Sequence, residues 1–91
     1  MLELKELGNA AFKQKKYEDA LRCYSQAIAF APGEMEDKEL ETTLYSNSAE
    51  CYLRLKVPEQ AITMAEKALA VSPDHAKSLN RLQRASAKLK G

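Results

Sequence analysis

The sequence predicts an all-α helical-repeat solenoid, and three observations carry that prediction: helix-forming composition, apolar positions at helical spacing, and an internal repeat. Ala, Leu, Lys, Glu and Gln are plentiful, while three Gly and three Pro in 91 residues are too few for a turn-rich all-β chain. About 45% of the residues are apolar and 30% charged, the balance of a globular chain, and the length suits one domain over residues 1–91. Offset by 41 residues, the chain superimposes Ala20 on Ala61, Leu21 on Ile62, Ala27 on Ala68, Ile28 on Leu69 and Pro32 on Pro73, with small Gly8 on small Ala49. Such self-similarity marks stacked units that cannot bury their apolar faces alone.

Each unit reads as a pair of helices. In the first, residues 1–32, Leu4, Leu7, Ala11 and Phe12 form one stripe that ends near Lys13, Lys15 and Lys16, where positive charge suits a helix C-terminus. A second helix opens at Tyr17 with Glu18 and Asp19 in its first turn, turns Ala20, Leu21, Tyr24, Ala27 and Ile28 inward, and stops at Pro32-Gly33. The second unit, residues 39–73, repeats the plan with Leu44, Tyr45, Ser48, Ala49 and Tyr52, then a break near Lys56-Val57. Pro58 suits the first position of the next helix, where a missing N–H costs nothing, and Ala61, Ile62, Ala65, Ala68 and Leu69 face inward until Ser72-Pro73-Asp74. Residues 74–90 hold a fifth helix, from about Ala76, with a thin stripe of Leu79, Leu82 and Leu89. Gln83 stands where the earlier units place Gly8 and Ala49, so the sequence favours a capping helix with a polar outer face over an array continuing beyond it.

Between the units, in residues 32–41, an acidic insertion with its loop at 33–38 makes the offset seven residues longer than the roughly 34 of one common repeat class. A helix starting at Glu36 or Asp37 fits the run through Leu40 and Leu44. A solvated loop explains the acids better than a docking patch does.

Several functions are disfavoured. Fourteen Lys and Arg against thirteen Asp and Glu leave a net charge of +1, with no global field for nucleic acid or a membrane surface. The basic run Lys77, Arg81, Arg84, Lys88 and Lys90 complements a helix C-terminus and lacks the aromatic platform an RNA face needs. The longest apolar stretch, Ala27 to Ala31, is too short to span a bilayer, and the acidic start does not resemble a secretory signal. Cys23 and Cys51 read as free, buried, reduced thiols of a cytoplasmic chain, and a single histidine, His75, supports neither a metal site nor a cofactor. A Cys–His pair without a glycine-rich turn for an oxyanion makes an enzyme improbable on chemical grounds.

These residues resemble the tetratricopeptide repeat, whose pattern is a bulky residue, Leu-Gly, a further bulky residue, then Ala, an aromatic and Pro. The first unit supplies Leu4, Leu7-Gly8, Ala11, Ala20, Tyr24, Ala27 and Pro32; the second supplies Tyr45, Ala49, Tyr52, Ala61, Ala68 and Pro73. Ala11, Ser48 and Ala65 depart from the usual bulky residues. The resemblance implies a protein-binding scaffold, in which the first helix of each unit lines a concave groove.

A second set of residues narrows the ligand. Lys5 and Asn9 are four apart on the first helix, Lys77 and Arg81 four apart on the fifth, and Asn47 lies on the third. With the groove the resemblance implies, all five would meet in one cavity. The set is similar to the two-carboxylate clamp of chaperone-binding tetratricopeptide domains, with only the Asn9-to-Asn47 gap enlarged. The chemistry suits it: Asn amides and Lys ammoniums donate to the two carboxylates of a C-terminal aspartate, and Arg81 offers a planar fork. Phe12, near Asn9, offers an apolar wall, though a plain core role fits it equally. The resemblance therefore implies a monomeric co-chaperone-type adaptor for the Glu-Glu-Val-Asp tails of the seventy- and ninety-kilodalton heat-shock chaperones. The alternative is a generic scaffold for an internal peptide or helix.

Overall fold

A computed structural model of the chain describes residues 2–30 and 38–90. Its elements are α1 (Leu2–Lys13), α2 (Tyr17–Phe30), α3 (Lys38–Arg54), α4 (Pro58–Val71) and α5 (Ala76–Lys90), with no strand among the described residues. Helices α1 and α2 pack as one hairpin and α3 and α4 as a second; α2 joins the hairpins, and α5 packs on α4 and touches α3. The acidic insertion expected at 33–38 lies outside the described residues apart from Lys38, which opens α3.

The two hairpin turns are built alike. Lys15 and Lys56, equivalent positions of the repeat, adopt left-handed backbone with φ of 63° and 65°. At the first, Lys16 N–H reaches Ala11 C=O and Lys15 N–H reaches Phe12 C=O, both at 2.9 Å; at the second, Val57 N–H reaches Tyr52 C=O and Lys56 N–H reaches Leu53 C=O. These paired bonds satisfy carbonyls that a helix end otherwise leaves open, which offsets the cost of a left-handed lysine. The start of α5 is capped by His75, whose Nδ1 accepts the Ser78 N–H at 3.3 Å. That cap orients the helix carrying Lys77 and Arg81.

Alanines dominate the core because helices approach closely. Ala20, Ala27, Ala49, Ala61, Ala65, Ala68 and Ala85 are fully buried, with Tyr24, Leu44, Cys51 and Leu53 filling the larger spaces. Leu4, Ala11, Phe12, Leu21 and Ile28 close over this core as expected. Two expectations are corrected. Leu7 is 59% exposed, because the buried stripe of α1 is centred on Gly8 and leaves Leu7 at its edge. Cys23 is only half-buried, whereas Cys51 is buried, and both are free thiols.

Gly8 marks a close approach of α1 to Tyr24 on α2. A Cβ there would lie 2.5 Å from Cε1 and 2.8 Å from Cδ1 of Tyr24, whose ring is buried. Gly8→Ala gains about 1 kcal/mol of helix propensity but overpacks the contact at a cost of about 1–3 kcal/mol. The variant should therefore lose about 1 kcal/mol of stability, read as a lower urea midpoint at unchanged slope. An unchanged or higher midpoint would refute the contact.

Candidate functional site

The site is a hydrogen-bonded chain that crosses three helices. Asn9, one turn from the C-terminal end of α1, accepts on Oδ1 from the Tyr24 hydroxyl and, at 3.3 Å, from Asn47 Nδ2 on α3. Two donors converging on Oδ1 set the orientation of the Asn9 amide, since Nδ2 in that place would oppose donor to donor. Its Nδ2 is thereby left as an uncommitted donor among the described residues. Burial pushes the Tyr24 phenol up to about 12, so it remains a donor at neutral pH. Asn47 Oδ1 in turn accepts from Arg81 Nη1 on α5, at 3.5 Å.

Arg81 is held from the protein side. Its Nη1 also donates to Ser46 Oγ, and its Nε donates to Glu50 Oε1 at 3.1 Å. Glu50 is 4% exposed and collects three arginines: Oε1 also accepts from Arg84 Nη1 at 2.7 Å, while Oε2 accepts from Arg84 Nη2 at 3.0 Å and Arg54 Nε at 2.9 Å. Burial alone would raise its pKa. The hydrogen bonds from Arg84 and Arg54 and the charges of Arg84 and Arg81 outweigh that effect and hold the carboxyl down at about 2. Arg54 further stacks over the rings of Phe12 and Tyr17, with centroid distances of 5.9 and 6.0 Å.

The five residues singled out in the sequence divide between two adjoining clefts. Asn9, Asn47 and Arg81 line one of about 240 Å³, together with Phe12, Tyr24 and Glu50. Lys77 and Arg81 line the other, of about 290 Å³, with Asn80, Arg84 and the same Glu50. Lys5, half-buried one turn before Asn9, lines neither. The two clefts adjoin, with Arg81 and Glu50 lining both. Of the Arg81 guanidinium, Nε and Nη1 are engaged internally, and Nη2 is the donor left over among the described residues. Phe12 packs against the core and also lines the first cleft.

Sequence reasoning missed Glu50, Ser46, Lys13 and the groove role of Tyr24. The signal for Glu50 was present. It follows Asn47 by three and Ser46 by four, so it shares their face of α3, and it precedes Arg54 by four. Chemically, the arrangement presents amide, ammonium and guanidinium donors along a half-open groove, a form suited to carboxylate capture. Among the described residues no cluster of three or more His, Cys, Asp or Glu could hold a metal ion, and no helix is long and apolar enough to cross a membrane.

Comparison with known proteins agrees with the fold. A family model described as the tetratricopeptide repeat matches residues 1–74. The Hsp70/Hsp90 co-chaperone CNS1 of Saccharomyces cerevisiae is 37% identical over 81 residues, covering 89% of this chain and 20% of that protein. The mitochondrial import receptor subunit TOM70 of the same yeast is 40% identical over 86 residues, covering 94% of this chain and 12% of that protein. The chain therefore spans a fifth or less of the length of these relatives. The solved second TPR domain of human RPAP3, in complex with the HSP70 peptide SGPTIEEVD, matches with a TM-score of 0.85 at 28% identity, covering 98% of this chain and 68% of that one.

The depressed Glu50 carboxyl has a consequence for stability. Its contribution is present above the ordinary value of 4.5 and is lost as pH falls toward about 2, because the unfolded chain takes up the proton first. A displacement of that size corresponds to about 3 kcal/mol. Urea unfolding of the wild-type chain between pH 4.5 and pH 2 should fall more steeply than that of Glu50→Gln, by about that amount. Parallel pH profiles would refute the role assigned to the carboxylate.

Proposed function

The chain belongs to the tetratricopeptide repeat family, and from that premise we propose that it binds the acidic C-terminal tail of a cytoplasmic heat-shock chaperone, of the seventy- or ninety-kilodalton class, through a carboxylate clamp. The observation that carries the reading is the continuous chain Asn9–Asn47–Arg81, which ties the first, third and fifth helices together and orients their donors beside two clefts. Asn9 and Asn47 take the terminal main-chain carboxylate, Lys77 takes the aspartate side chain, and Arg81 adds a contact through Nη2. Lys5 contributes as a longer-range positive charge. The solved relative bound to a peptide ending in Glu-Glu-Val-Asp supports the same ligand class.

The role is adaptor and not catalyst. Burial, aided by the negative charge of Glu50, pushes the Cys51 thiol up to about 12, which removes it as a nucleophile at neutral pH. A second reading, a scaffold for an internal peptide, is favoured by the internal engagement of Arg81 and by Lys5 lying outside both clefts.

A free C-terminus separates the two readings. Calorimetric titration with a Glu-Glu-Val-Asp peptide should give a dissociation constant on the order of micromolar, about −8 kcal/mol, weakening as salt rises. Amidation of the peptide terminus should weaken binding, and Asn47→Ala or Lys77→Ala should each cost about 1.5–3 kcal/mol. Equal affinity for the acid and the amide would exclude the clamp and leave the internal-peptide scaffold.

A further inference from the structure

The proposed clamp contains an acid that a carboxylate-binding groove does not need for donating to its ligand. Glu50 forms the wall common to both clefts, and four N–H groups from Arg54, Arg81 and Arg84 fill its two oxygens. An anion is therefore already resident at the guanidiniums of α5. A ligand carboxylate that sought the fork of Arg81 would have to displace Glu50 from Nε. That would leave a buried carboxylate short of a donor and close to a second negative charge, an arrangement of high cost in a water-poor site.

We propose that Glu50 is a specificity-determining residue of this groove: a built-in carboxylate that occupies Arg81 and Arg84 from within, so that the groove accepts the terminal acidic residue of a ligand and gains little from further acidic side chains laid along α5. The proposal rests on the clamp reading. The terminal carboxylate meets the Asn9 and Asn47 amides, whose free donors are not shared with Glu50. Acidic side chains upstream meet Arg81 and Arg84, whose charge is partly cancelled and whose best donors are spent. Selectivity here comes from a repulsive group as much as from attractive ones.

The test compares Glu-Glu-Val-Asp and Gln-Gln-Val-Asp free-acid peptides by calorimetry on the wild-type chain and on Glu50→Gln. Wild type should prefer the acidic peptide by less than about threefold, whereas Glu50→Gln should prefer it by about tenfold more, because two guanidiniums become available and one repulsion is removed. An unchanged preference in a folded variant, checked by circular dichroism, would overturn the proposal. Equal wild-type affinity for acid and amide termini would instead overturn the clamp reading itself, a separate result. Where Glu50→Gln does not fold, arginine Nε–H resonances of the wild-type chain decide. When the acidic peptide saturates the groove, Arg81 Nε–H should keep its shift and slow exchange while the Asn9 and Asn47 side-chain amides move. Release of Arg81 Nε–H into fast exchange would mean that the ligand takes the fork from Glu50, and would overturn the proposal.

Discussion

The missing side chain of Gly8 allows the rest of the site to exist. Without a Cβ at that point, the Tyr24 ring lies close against α1, and its hydroxyl reaches Asn9. Asn9 is then held in one orientation, and through it Asn47 and Arg81 are held in theirs. A residue chosen for helix packing thus decides which end of each amide faces the groove. The core and the site are one construction, because Tyr24 is at once the largest fully buried side chain and the first donor of the polar chain.

Glu50 completes that construction at the other end. The apolar interior is built from alanines and is small, so the joint between α3 and α5 depends on more than hydrophobic contact. One carboxylate accepting four N–H groups supplies it, and every oxygen lone pair of consequence is used. A buried charge is tolerable only under such full satisfaction. The same arrangement places a negative charge among the lining residues Lys13, Lys77 and Arg81 of the two clefts.

Relatives with the same helical pairs serve as a chaperone partner in one case and as an import receptor subunit in another. The scaffold therefore sets a groove and leaves its selectivity to a handful of side chains on the first helix of each pair. The clamp proposed for this chain assigns that role to Asn9 on α1, Ser46, Asn47 and Glu50 on α3, and Lys77, Arg81 and Arg84 on α5.

By itself the sequence determined the repeat, the five helices and those of their ends that lie in the second hairpin and the fifth helix; the expected stop at Pro32-Gly33 and start at Glu36 or Asp37 lie outside the described residues. The helices and ends it determined follow from local rules: alanine spacing, the break at Lys56-Val57 before Pro58, and the punctuation at Ser72-Pro73-Asp74 act within a few residues of where they stand. It also put Lys77 and Arg81 on one face of a helix through their four-residue spacing, and resemblance to a carboxylate clamp added Asn9 and Asn47 to the candidate set. The tertiary structure alone decided how those faces meet. That Leu7 lies outside the buried stripe, that Lys5 lines neither cleft, and that Arg81 turns its Nε to Glu50 depend on the distance and angle between α1, α3 and α5. Periodicity along one helix carries no information on those quantities. Hydrogen bonds, which act over about 3 Å, are settled by them.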